Sequence, residues 1–112
     1  MIEIWNRQRE FQKNFFNPDA LTADERIKWT KEFCLCAHQE LAEILDSIDW
    51  KNYHLYAKEY DEKHTHEEIV DAFKFILNLG IVWGMTPEVF IDIFNKKTDA
   101  VEQRLMLKSK RD

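Results

Sequence analysis

The sequence predicts an all-α protein, a bundle of four to five helices. Three observations carry this expectation. Apolar residues recur at helical spacing along most of the chain. Helix-start signals stand at Thr22, Thr65 and Thr86. Only two Gly and two Pro punctuate 112 residues, so long loops and frequent tight turns are not expected. No stretch reads as a strand, and short connections between successive helices favour a bundle.

Residues 2–16 place Ile4, Trp5, Gln8, Phe11, Gln12, Phe15 and Phe16 at the spacing of one aromatic helix stripe. Asn17-Pro18-Asp19 breaks that helix. Thr22 and Glu25 form a capping-box pattern and open a long helix to about Ile48. Its inward positions read Ile27, Phe33, Ala37, Leu41, Ile44, Leu45 and Ile48, with Glu40 and Glu43 beside the stripe. From Asp49 to Lys63 no clear period emerges, although a short helix over 52–60 is compatible with the residues. Thr65-His66-Glu67-Glu68 repeats the capping-box pattern and opens a helix to about Trp83. That helix is apolar nearly all round, which places it at the centre of the fold or under another subunit. A homodimer or homotetramer is therefore expected. Gly84-Met85 reads as a turn, and Thr86-Pro87 starts a last helix through Val89, Phe90, Ile93, Phe94, Val101 and Leu105. One domain over residues 1–107 and a basic tail over 108–112 complete the expected organisation.

Composition narrows the function classes. Sixteen basic and 21 acidic residues leave a net charge of −5, which argues against a nucleic-acid partner. No apolar run reaches the roughly 20 residues that a membrane span needs. The start of the chain lacks the basic and apolar segments of a secretion signal. Cys34 and Cys36, two apart on a helix, point away from each other and read as free thiols. A cytoplasmic protein is expected.

The chemistry is concentrated in two acidic pairs. Glu40 and Glu43 are three residues apart on one helix, Glu68 and Asp71 three apart on the next, so each pair shares a face. Carboxylates set among Leu, Ile, Val and Phe are costly unless something neutralises them. A divalent cation supplies that, and hard oxygen ligands suit Mg²⁺, with Mn²⁺ as the alternative. Side by side, the two helices bring the four acids to one volume, where a cation polarises a phosphoryl oxygen and a spare carboxylate takes a proton from water. The four histidines match no zinc spacing and are expected at the surface or behind the acids.

The pattern Glu40-Leu41-Ala42-Glu43, followed by Glu68-Ile69-Val70-Asp71, resembles the E-x-x-E … E-x-x-D signature of the all-α nucleoside triphosphate pyrophosphatases, which include MazG-like enzymes and the dimeric dUTPases. The segments Glu43–Lys51 and Phe75–Gly80 are similar to the dimeric dUTPase branch. The resemblance implies a helical dimer or tetramer that cleaves a nucleoside triphosphate between its α and β phosphates, releasing the monophosphate and pyrophosphate. It implies Glu40, Glu43, Glu68 and Asp71 as metal ligands, with Glu40 or Glu43 also activating water. It implies Asn95, Lys96, Lys97 and Arg104 as phosphate contacts, and Gln12 (or Gln8), Trp50 and Asn78 near the base. The expected substrate is dUTP or dCTP. A purine or broad MazG-like range is one alternative; a helical interaction module without catalysis is another.

Overall fold

A computed structural model describes residues 1–48 and 61–111, with side chains described as far as Lys108. The predicted Trp50 contact and the short helix over 52–60 lie outside the described residues. Four helices follow in order: α1 (Ile2–Gln12), α2 (Ala23–Asp46), α3 (Glu62–Val82) and α4 (Pro87–Arg111). The all-α expectation holds, and the described residues contain no strand.

Sequence chemistry explains where each helix begins and ends. Helix α1 stops at Gln12, short of the expected Phe16, because the chain tightens into i→i+3 bonds from Lys13, Asn14 and Phe15. The Asn14 side chain also donates to the Phe11 carbonyl at 2.8 Å, the local competition that makes Asn a poor helix residue. Asn17 Oδ1 then accepts from the Asp19 N–H, forming an Asx turn. The Thr22–Glu25 capping box forms in both directions, at 3.1 Å each way. Helix α3 begins three residues before the expected Thr65. Asp61, lying just ahead, accepts from the His64 N–H and serves as the N-cap. Thr65 instead donates to the Asp61 carbonyl and to Ser47 Oγ, tying the start of α3 to the end of α2. Gly84 has a φ of 73°, and the Met85 N–H reaches back to the Gly80 carbonyl, so a left-handed glycine closes α3. Thr86 Oγ1 caps α4 by accepting from the Val89 N–H. Helix α4 continues through Lys108–Arg111, so the segment read as a separate tail is helical backbone.

Helix α3 is the central element. Helix α2 packs along it and α1 crosses it, while α4 meets α1 and turns away from α3 by 108°. The core joins Trp5, Phe16, Phe33, Leu77, Ile81 and Val82, with Trp29, Phe75 and Phe90 against it. Gly80 is the point of closest approach: a Cβ there would stand 2.6 Å from Trp5 Cη2. The inner stripe of α2 differs from the expected one. Phe33 and Ala37 are buried and Ile44 half-buried, but Ile27, Leu41, Leu45 and Ile48 are exposed. The stripe runs Phe33–Ala37–Glu40–Ile44, which puts Glu40 on the inner face rather than beside it. The apolar side chains Ile69, Val70, Phe73 and Ile76 of α3 are bare in a single chain. No single helix among the described residues is long and apolar enough to cross a membrane.

Candidate active site

The packing of α2 against α3 brings the acidic pairs together. Oxygen atoms of Glu40, Glu68 and Asp71 all lie within 4.8 Å of one another. Glu43, one turn along α2 from Glu40, stands close enough to Glu68 and Glu40 for each carboxyl to perturb the others. Burial explains why this is costly. Glu68 is 8 % exposed, and Glu40 Oε2 and Glu68 Oε2 are both enclosed without a hydrogen-bond partner.

The titration of the cluster follows from that crowding. Burial first, then Glu68 and Glu43, push the Glu40 carboxyl up to about 7. Contact with Glu68 raises Glu43 as well. Glu68 moves the other way, because its neighbours act as proton donors toward it and His64 adds positive character, with Nε2 3.2 Å from Glu68 Oε1. The three groups behave as one coupled set in which Glu68 holds charge and Glu40 holds the proton. The donor set is entirely carboxylate oxygen, with two orphaned oxygens in the enclosure, and so fits a hard divalent cation.

Beside the acids opens a cleft of about 380 Å³. Phe11, Phe15, Trp29, Phe33 and Phe75 supply its apolar walls, and Gln8, Gln12 and Asn78 its amides. Glu40 and Asp71 belong to both the cleft and the acid cluster, so the two spaces are continuous. Gln12 is 3 % exposed with Oε1 unpartnered, and Asn78 is 2 % exposed with Oδ1 accepting from Gln8 Nε2 at 2.8 Å. These dimensions and this mixture of rings and few polar groups are those of a small-molecule pocket.

The sequence missed some of these residues. Trp29, which also packs against the core, lines the cleft, as do Glu32, Cys36 and Lys74. Lys74 had a legible signal, since it lies three residues after Asp71 on the same helix face. His64 likewise lies four residues before Glu68. Cys34 and Cys36 are free, as expected, and burial with the nearby Glu32 and Glu40 raises the Cys36 thiol.

The predicted phosphate contacts are not brought to the acids within one chain. Asn95, Lys96, Lys97 and Arg104 all sit on α4. With a rise of 1.5 Å per residue and a 108° turn after α3, Lys96 to Arg104 stand roughly 20–30 Å from Glu68. Lys96 pairs instead with Asp92 on its own helix at 2.9 Å.

No curated protein and no solved structure matches this chain. One family model does, described as dUTPase, and it matches residues 1–110. A match over nearly the whole length, an all-helical fold and paired acids on adjacent helices agree, and the chain belongs to the all-α dimeric dUTPase-like family, whose activity is that of nucleoside triphosphate pyrophosphatases.

Proposed function

We propose that the protein is a Mg²⁺-dependent pyrophosphatase that hydrolyses dUTP, or dCTP as the second choice, to the monophosphate and pyrophosphate. The observation that carries this reading is the junction of two spaces. An enclosure of carboxylate oxygens with two orphaned atoms opens directly onto an aromatic cleft the size of a nucleoside. Glu40, Glu68 and Asp71, with Glu43, would hold Mg²⁺, or Mn²⁺ in its place. A divalent cation in such a site polarises phosphoryl oxygens and lowers the pKa of the water it binds.

The chain's own groups then divide the work. Phe11, Phe15 and Trp29 enclose the base and exclude water, and the amides of Gln12 and Asn78 meet its polar edge. Glu43 accepts the proton of the attacking water, a role suited to a carboxyl whose pKa contact with Glu68 raises. Water adds to phosphorus, the anhydride bond between the α and β phosphates breaks, and the bridging oxygen leaves with pyrophosphate. Lys74, at the cleft wall, offsets phosphate charge.

An oligomer belongs to this reading. Ile69, Val70, Phe73 and Ile76 leave the central helix with a bare apolar face, which a second subunit of a homodimer or homotetramer covers. Lys97 and Arg104 then reach phosphate only from that second subunit. The test is pyrophosphate release from a panel of deoxynucleoside triphosphates with Mg²⁺, with and without chelator. Turnover of a pyrimidine triphosphate that chelator abolishes is the expected result. Preferred turnover of a purine moves the protein to the MazG-like range. No turnover of any substrate returns it to a helical interaction module.

A further inference from the structure

We propose that His64 is a positioning residue of the acid cluster: from the first turn of α3 it holds one oxygen of Glu68, leaves the other free inside the enclosure, and so sets how tightly the cluster takes up a divalent cation. This rests on the reading of the acids as the cation site. His64 and Glu68 lie one helical turn apart, with Nε2 3.2 Å from Oε1. The two ends of this contact differ in exposure: the Glu68 side chain is 11 % exposed and the His64 side chain 57 %. The ring therefore reaches the carboxylate from the solvent side, while Glu68 Oε2 is enclosed without a partner. An oxygen of Glu68 also lies within 4.8 Å of oxygens of Glu40 and Asp71. One carboxylate thus serves two neighbours, the ring with Oε1 and the enclosure with Oε2.

The turn that carries His64 is itself tied down. The His64 N–H donates to Asp61 Oδ1 at 3.1 Å, and Thr65 Oγ1 donates to Ser47 Oγ at 3.0 Å. The first bond caps α3, and the second joins it to the end of α2, the helix that supplies Glu40 and Glu43. The contact needs a hydrogen on Nε2, which one neutral form of the ring and the charged form both carry. Without the ring, Glu68 gains rotamers, and each dilutes the one in which an oxygen faces Glu40 and Asp71. Groups that support a metal ligand from behind typically change metal affinity by about 10–100-fold. An exposed ring at the long end of N–H···O distances belongs at the lower end of that range. The rival role has the opposite sign. A ring that only lends positive charge to crowded carboxylates competes with an incoming cation, so its removal tightens uptake.

The test is titration with Mn²⁺ alone, followed by loss of the free-ion signal in electron paramagnetic resonance, on wild type, His64→Leu and His64→Gln. The first substitution keeps bulk and removes the donor; the second sets an amide N–H at about the reach of Nε2. The Mn²⁺ dissociation constant should rise about tenfold in His64→Leu and return to within about threefold of wild type in His64→Gln. Unchanged or tighter uptake in His64→Leu overturns the proposal, and so does a His64→Gln variant that recovers nothing. Both variants should melt near the wild-type midpoint in chelator, because the ring is exposed. A large fall in both assigns His64 to the fold and also overturns the proposal.

Pyrophosphate release at limiting and saturating Mg²⁺ separates this role from the reading beneath it. His64→Leu should lose turnover when Mg²⁺ is limiting and regain the wild-type kcat when it saturates. A kcat that stays low at saturation overturns the positioning role. Mn²⁺ uptake in the expected order, with no turnover by any of the three proteins, overturns the enzyme reading and sustains the positioning role. Wild-type protein that takes up no Mn²⁺ overturns both.

Discussion

Replacing Glu40 with Gln should stabilise the metal-free protein, and only at the upper end of the pH range. In the folded chain, burial beside Glu68 and Glu43 raises the Glu40 carboxyl from 4.5 to about 7. A carboxyl whose folded value is raised contributes stability below its unfolded value, and that contribution is lost as pH rises through the folded value. Glu40 therefore favours folding near pH 4.5 and opposes it above pH 7. At about 1.4 kcal/mol per pH unit, the interval from 4.5 to about 7 sets a ceiling of about 3.5 kcal/mol. The opposite movement of Glu68 returns part of this, and solvent reaches half-buried Glu40, so roughly 1–3 kcal/mol is expected. For a domain of this size that is a rise in Tm of roughly 4–15 °C at pH 8. At pH 5 wild-type Glu40 is protonated and resembles Gln, so the two proteins should melt together. Adding Mg²⁺ at pH 8 should raise the wild-type Tm and leave the Glu40→Gln variant nearly unmoved. The assay is differential scanning calorimetry at both pH values, with chelator and with Mg²⁺. Equal differences between the proteins at pH 5 and pH 8, or a variant less stable at pH 8, would refute the crowding argument.

Glu43→Gln keeps shape and removes a proton acceptor, so turnover should fall by about 10²–10⁴-fold with an unchanged circular dichroism spectrum; rates near wild type would remove Glu43 from the site. Gly80→Ala forces a methyl to within 2.6 Å of Trp5, a ring only 1 % exposed, and should cost about 1–3 kcal/mol in urea unfolding, less up to about 1 kcal/mol of helix propensity regained; a higher unfolding midpoint would contradict the packing. Glu68→Gln and Arg104→Ala subunits, each inactive alone, should recover up to a quarter of wild-type activity when unfolded and refolded together. Half of such dimers are mixed, and each mixed dimer contains one complete site if α4 serves its neighbour. No recovery would exclude α4 from a shared site.

The sequence by itself determined the helices, their order and their acids. Periodicity and capping are local, so the Thr22–Glu25 box and the Thr86-Pro87 start could be read directly, and both form. The acidic pairs were legible for the same reason, because three residues along a helix fixes a common face whatever surrounds it. Local reading failed where two signals competed within a few residues, as at Asp61 and Thr65, where the earlier acceptor took the cap. It failed also for the inner stripe of α2, because the facing residues of α3 decide which face of a helix is buried, and they are distant in sequence.

Only the tertiary structure decided how the pieces converge. The enclosure that orphans Glu40 Oε2 and Glu68 Oε2 exists because α2 lies along α3. The cleft takes its walls from α1, α2 and α3 together, and so does the amide contact between Gln8 and Asn78, 70 residues apart. The same packing turned α4 away, carrying Lys97 and Arg104 far from the acids of their own chain. Side-chain type and spacing are properties of the string. Burial, proximity and charge coupling are properties of surfaces in contact, and they arise only when distant segments pack.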